Sequence, residues 1–363
     1  MPVEILERCL RALVEEDGSD LHLKAGSAPR IRVNGSLTRL PSESELSPAD
    51  LAAIADAIMR QDLRDQFETS NEVDFAYSVE RLGRFRVNAF RQRGTVAMVM
   101  RRVRTSAVTI DELGLPEVVR RLSSEHRGLL LVTGPTGSGK TTTLAAMIDH
   151  INRTRDAHIV TIEDPIEVLH VDDRAAINQR EIGVDTDSFA DAMRAALRQD
   201  PDVILVGEMR DQETVSAALS AAETGHLVLS TLHTIDAAET ISRIVDFFPP
   251  HQQGQVRVAL AGSLKGTICQ RLMPTSDGLG RVAAFEIMVV NGRVQQSILD
   301  PGRGGDLHDI MREGEYYGMQ TFDQSLARLY TAGKIGIGAA MQAASNPHDL
   351  RVVLQREGVL VAS

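Results

Sequence analysis

The apolar run GLLLV at residues 128–132 leads into GPTGSGKT at 134–141, and from Thr141 the chain continues as TTTLAAMIDHINR. Nothing else in the sequence restricts the fold as much. The octet matches G-x-x-x-x-G-K-[ST] and lies after a strand pattern and before a helix pattern, the context in which that spacing forms a phosphate loop. Gly134, Gly137 and Gly139 let backbone N–H groups turn towards phosphate oxygens, with Pro135, Thr136, Ser138 and Thr142 completing the cradle. Lys140 is placed to reach β- and γ-phosphates, and Thr141 to hold Mg²⁺. The helix N-terminus adds a positive dipole.

The pattern around the loop extends this to a domain. HIVTIED, DVILVGE and HLVLSTLHT read as further buried strands, and SFADAMRAALRQD and DQETVSAALSAAETG as helices, the second with Gly225 at its C-terminal cap. Buried strands alternating with helices indicate a parallel α/β sheet. From about residue 238 the chain reads as mainly helical, with a hairpin near 281–295. Upstream, DLHLKAG, PRIRVNGSLTRL, DFAYSVE and GRFRVNAFRQRGTVAMVMRRV alternate apolar and polar residues between glycine turns. With a helix at roughly 48–68 they describe a smaller α+β domain over 1–104. Leu6, Cys9, Leu10 and Leu13 predict an amphipathic helix before Gly18. TSAVTIDELGLP, residues 105–116, reads as a linker, and Pro116 opens the helix that starts the second domain, 117–363.

Composition narrows the function classes. The 363 residues are 43% hydrophobic and 25% charged, as in soluble globular chains. No apolar run approaches the roughly 18–20 residues that cross a bilayer, and the N-terminus lacks a signal-peptide layout, so a cytoplasmic protein is expected, with docking on a membrane complex left open. Cys9 and Cys269 are isolated, which argues against a zinc site or a disulfide framework. A net charge of −11 and 4% aromatics speak against a nucleic-acid-binding face.

Hydrolysis needs a group that orients and deprotonates water. DVILVGEMRD ends a strand in Glu208, and HIVTIEDP ends another in Glu163 and Asp164. The Asp that usually holds magnesium at the first of these strand ends is replaced by Gly207. His226 and His233 flank an apolar strand seven residues apart, an odd offset that turns them to opposite faces, so no shared metal is expected. The last strands of the first domain carry Arg84, Arg86, Arg91, Arg93, Arg101, Arg102 and Arg104. Any of these reaching a neighbouring subunit's phosphates would neutralise transition-state charge.

Taken in order, GPTGSGKTTTL, TIEDPIEVLH, INQREIG, LRQDPDVILVGEMRD and AAETGHLVLSTLHT resemble the secretion ATPase superfamily, which powers type II secretion and type IV pili. SDLHLKAGSAPRIRVNG resembles the start of its PAS-like N-terminal domain. The resemblance runs from about 18 to 348 and is most specific over 128–275. It implies a RecA-like P-loop NTPase domain preceded by the PAS-like α+β domain, ATP and Mg²⁺ as cofactors, and a homohexameric ring. It implies Glu208 as the acid of a Gly-Glu Walker B and the base, Glu163 as the Asp-box acid positioning water or metal, and His226 and His233 as the His box. Arg86 and Arg101 fall where relatives place arginines that contact the γ-phosphate.

The resemblance also implies docking at the inner face of the cytoplasmic membrane on a pilus platform protein, together with a paralogous pilus ATPase. Without a CxxC pair, and starting at the PAS-like domain, the chain is most similar to the pilus-retraction branch. The AIRLIPG-type motif of that branch is not intact in VQQSILDPGRGGDLHDIMREGEYYGMQTFDQ. Assembly or export motors, an accessory ATPase, a non-hydrolysing ring and a RecA-like DNA motor are the competing readings.

Overall fold

The structure, a computed structural model, describes residues 2–33, 35–103 and 107–356. The chain divides into two compact units: Met1–Ser106 with Glu167–Leu169, and Ala107–Ile166 with His170–Ser363. Arg104 and the first two positions of the expected linker, 105 and 106, lie outside the described residues.

The first unit begins with α1 (Pro2–Glu15), followed by β1 (Asp20–Lys24), β2 (Arg30–Val33) and β3 (Ser36–Arg39). Two helices, α2 (Pro48–Ile58) and α3 (Gln61–Ser70), precede β4 (Glu72–Val79), β5 (Gly83–Gln92) and β6 (Thr95–Arg102). The strands form one antiparallel sheet in the order β3-β2-β1-β6-β5-β4. Leu6, Cys9, Leu10 and Leu13 are fully buried, as their helical spacing predicts, in a core shared with Leu21, Val87, Met98 and Met100 of the sheet. The single helix expected at 48–68 is two. Met59 is extended (φ −87°, ψ 136°) and buried, which ends α2 after its apolar stripe of Leu51, Ile54 and Ile58. Helix α3 then restarts and buries only Phe67.

The second unit opens with α4 (Glu117–Ser123), capped by Pro116, then β7 (Gly128–Thr133), α5 (Lys140–Thr154), β8 (His158–Glu163), β9 (Ala176–Glu181), α6 (Phe189–Ala196), β10 (Val203–Val206), α7 (Gln212–Glu223) and β11 (Leu227–Leu232). It continues with α8 (Ala237–Asp246), α9 (Pro250–Ser263), β12 (Leu264–Pro274), β13 (Arg281–Val289), α10 (Gly292–Leu299), α11 (Asp306–Glu313), α12 (Phe322–Thr331), α13 (Ile337–Ala343) and α14 (Pro347–Arg356). The seven-stranded sheet runs β13-β12-β7-β11-β10-β8-β9 and is parallel except for β13. Strands β7, β10 and β11 are buried along their whole length, because helices cover both faces of such a sheet. Gly225 stands one residue beyond the C-cap of α7, Thr224, with φ at 115°.

The hairpin expected near 281–295 is displaced. It consists of β12 and β13, spanning Leu264 to Val289, and α10 occupies the last part of the expected range. Strand β12 escaped periodicity because its interior is partly polar: Thr267 and Gln270 are buried within it. Strand β9, on INQREIG, carries no apolar alternation and forms the edge of the sheet beside β8.

Candidate nucleotide site

The phosphate loop joins β7 to α5 at the carboxyl ends of the parallel strands, where open α/β sheets place their ligands. Gly134 (φ 143°), Gly137 (φ 78°) and Gly139 (φ 91°) hold the backbone where L side chains are strained. At Gly134 space matters as well as φ, since a Cβ there would stand 2.4 Å from the carbonyl oxygen of Gln270. Gly139 is the N-cap of α5, so the N–H groups of Lys140, Thr141 and Thr142 belong to the first, unpaired turn.

Strand β12 backs this loop. Gln270, buried, donates from Nε2 to the Ser138 carbonyl at 2.6 Å and accepts from Thr143 Oγ1 at 2.9 Å. One side chain therefore ties the outer bend of the loop to the first turn of α5. A cleft of about 440 Å³ opens beside the loop, lined by Thr136, Gly137, Arg271, Met273, Arg281 and Gln342 among others.

Lys140 is buried. Its ammonium donates to the carbonyls of Gly134 (2.8 Å) and Pro135 (3.2 Å) and lies 3.4 Å from His233 Nδ1. The other imidazole nitrogen, Nε2, lies 3.1 Å from Glu208 Oε1. An ammonium can only donate and a carboxylate can only accept, so Nδ1 faces Lys140 as an acceptor and Nε2 faces Glu208 as a donor. Glu208 Oε2 receives Arg210 at 2.8 Å, and Arg210 stands 3.8 Å from Asp164. Burial raises the Glu208 carboxyl, but Arg210 and His233 outweigh it and leave it below the usual carboxylate range.

Gly207 explains how two acidic strand ends come side by side. Its N–H donates to the Ile162 carbonyl at 2.8 Å, and a Cβ there would meet that carbonyl oxygen at 3.2 Å and Glu163 Cα at 3.4 Å. The hydroxyls of Ser230 and Thr231 on β11 donate to the carbonyls of Val206 and Gly207 and fix the end of β10 from its other side. Glu163 Oε1 accepts from Thr161 Oγ1 at 2.7 Å and from Gln179 Nε2 at 3.1 Å.

The structure thus links Lys140, His233 and Glu208 by direct contact, with Glu163 on the strand next to β10. His226 lies at the opposite end of β11 from His233, roughly 20 Å away at ordinary strand rise. Its Nδ1 is 3.0 Å from the Ala221 carbonyl. Arg86 and Arg101 lie in the N-terminal unit, directly opposite each other on β5 and β6, and Arg101 Nε donates to Asp20 Oδ1 at 2.8 Å. Reading the sequence did not assign roles to Gln270, Arg210 or Gln179. The last two stand within the motifs shared with secretion ATPases, whereas Gln270 has no local pattern to betray it.

No group of three or more His, Cys, Asp or Glu able to hold a metal occurs among the described residues. A cation here would draw most of its ligands from nucleotide oxygens and water, which suits Mg²⁺. Among the described residues no helix is long and apolar enough to cross a membrane.

Residues 2–296 match the family model described as Type II/IV secretion system protein. The chain is 46% identical to the type IV pilus retractation ATPase PilT of Pseudomonas aeruginosa, over 92% of this chain and 96% of that protein. It is 42% identical to the type IV pilus ATPase PilU of the same organism, over 96% and 91%. The crystal structure of the pilus retraction motor PilT with bound ADP matches it with a TM-score of 0.85 at 46% identity, over 96% of this chain and 98% of that one. DotB of Legionella pneumophila matches with a TM-score of 0.73 at 29% identity, over 94% and 95%. The chain belongs to the type II/IV secretion system protein family and is one of its ATPases.

Proposed function

We propose that this ATPase is a motor for type IV pilus retraction, working as a homohexameric ring docked on a platform protein at the inner face of the cytoplasmic membrane. The observation that carries the reading is the chain of contacts Lys140–His233–Glu208, combined with likeness over nearly the whole chain to a protein named for retraction. Lys140 and the loop amides bind the β- and γ-phosphates. Thr141 and Glu163 hold Mg²⁺, which when bound neutralises phosphate charge. Glu208, kept ionised by Arg210 and His233, takes the proton of the attacking water. His233 touches both the phosphate-binding lysine and this base, so it is placed to report whether a γ-phosphate is present. His226 is assigned to the same His box but supports the start of β11. Arg86 and Arg101 of the N-terminal domain, 1–104, keep the role that the family resemblance implies, contact with a γ-phosphate, and 105–116 remain the expected linker to the ATPase domain, 117–363.

A second reading, an accessory pilus ATPase, is favoured by the 42% identity to PilU over 96% of the chain. Deleting the gene and counting surface pili by electron microscopy separates the two, with complemented and Glu208→Ala strains alongside. Excess pili with lost twitching in both mutants is the expected result. Absent pili make the protein an assembly motor, and normal pili with normal twitching make it accessory. Native mass spectrometry of the purified protein tests the hexamer.

A further inference from the structure

Glu163 is held by two donors that converge on a single oxygen, and one of them comes from the edge strand. Gln179 stands on β9 directly opposite Thr161 of β8, so Thr161, Glu163 and Gln179 share one face of the sheet. Thr161, almost fully buried, donates its hydroxyl to Glu163 Oε1, and Gln179 donates Nε2 to the same atom. The orientation of the Gln179 amide follows from its partners. Its Oε1 accepts the main-chain N–H of His170 at 2.9 Å, which turns Nε2 towards Glu163. An ionised carboxylate can only accept, and two donors aimed at one of its oxygens fix its orientation.

We propose that Gln179 is a positioning residue for ATP hydrolysis: braced by the His170 amide, its side chain fixes the Glu163 carboxylate in the orientation used at the phosphate site. The inference rests on Glu163 acting in hydrolysis. It gives the INQREIG motif a purpose that its position on an edge strand does not otherwise require. A glutamine suits the task because its amide accepts at one end and donates at the other without charge.

The test separates this role from simple bracing of the His170 segment. In a Gln179→Glu variant the new side chain still accepts from His170 N–H but offers Glu163 a carboxylate where a donor stood. A purely structural role survives that change and a positioning role does not. We expect Gln179→Glu to lower kcat roughly ten- to a hundred-fold, as loss of a residue supporting an active-site group does. The KM for ATP, the affinity for a fluorescent ATP analogue and the melting temperature should stay close to wild type. In a Glu163→Ala background the same change should cost nothing further, since residues acting as one unit are not additive. Wild-type kcat in Gln179→Glu, with kcat lowered but measurable in Glu163→Ala, overturns the proposal alone. Wild-type kcat in Glu163→Ala overturns the reading of Glu163 and the proposal with it. A loss that persists in full in the Glu163→Ala background shows that Gln179 acts elsewhere. Should Gln179→Glu not fold, Gln179→Met, which has similar volume and makes neither bond, must show the same fall in kcat, and unchanged turnover there sinks the idea.

Discussion

His233 Nε2 lies 3.1 Å from Glu208 Oε1, while Nδ1 of the same ring faces the Lys140 ammonium at 3.4 Å. The ring therefore stands between the group assigned to hold phosphate and the group assigned to activate water. Its removal should affect turnover more than binding, because Lys140 and the loop amides remain. His233→Ala is expected to lower kcat about a hundred-fold, in the range of a lost acid–base partner, with nucleotide affinity changed only a few-fold. Phosphate-release kinetics beside titration with a fluorescent nucleotide measures both. A parallel loss of affinity and kcat would mean that the ring serves the loop and not Glu208.

Glu208→Gln tests the base itself. The substitution keeps the shape but removes the charge that Arg210 and His233 stabilise and leaves one acceptor where the carboxylate has two. ATP should still bind, with hydrolysis lowered at least a hundred-fold. Because the Glu208 carboxyl lies below its ordinary range, it is charged throughout neutral pH and loses charge only as pH falls through that lowered value. Turnover near wild type in Glu208→Gln would transfer the role of base to another group.

Gln270 gives a prediction about the loop. Its amide is buried and bonded at both ends, to Ser138 O and Thr143 Oγ1. Gln270→Leu preserves bulk and leaves both partners unmet, which costs about 1–3 kcal/mol for each unsatisfied group. A lower denaturation midpoint and a raised KM for ATP are expected together, since the tie runs through the cradle. A change in stability with KM intact would make Gln270 a core residue only.

The glycines of the loop should differ in what they tolerate. Gly137 has open space around its absent Cβ, so Gly137→Ala meets only the strain of a positive φ, about 1–2 kcal/mol. Gly134→Ala meets that strain and the Gln270 carbonyl at 2.4 Å, which must move. Thermal unfolding should show a clearly larger loss for Gly134→Ala, and equal losses would mean that β12 yields easily behind the loop.

How much of this could be read from the chain follows from where each signal resides. The phosphate loop, Glu208 and Glu163 are local: a motif, or an acid at the end of an apolar run, is visible in a dozen residues. The approach of β12 to the loop is not, because Gln270 stands more than a hundred residues from Ser138 and looks like any polar residue in a mixed segment. The hairpin lies N-terminal of the position that the apolar pattern predicts for the same reason, since a strand with buried Thr267 and Gln270 breaks the pattern that marks strands. The break at Met59 was hidden because an apolar residue ended the helix, with no glycine or proline to signal it. His226 and His233 flank an apolar run in the sequence, and β11 runs between them.

Glu286 offers a test through pH. It is buried on β13 and accepts the N–H of Ala237, the first residue of α8, at 2.9 Å. Burial pushes its carboxyl up from 4.5 to about 7; nearby Asp236 adds to the rise, while the Ala237 N–H and Arg271 oppose it. A raised folded value means that, between these two pH values, the native chain holds a proton that the unfolded chain has released. Stability therefore falls as pH rises from about 4.5 to about 7 and stays lowered above that. At about 1.4 kcal/mol per pH unit the loss is on the order of 3 kcal/mol. Glu286→Gln keeps an acceptor for Ala237 and cannot ionise. The difference in unfolding free energy between Glu286→Gln and wild type should thus move in favour of the variant by about that amount between pH 5 and pH 8, read from urea titrations at the two values. A difference that does not change with pH would mean that the Ala237 N–H and Arg271 stabilise the charge as well as water does.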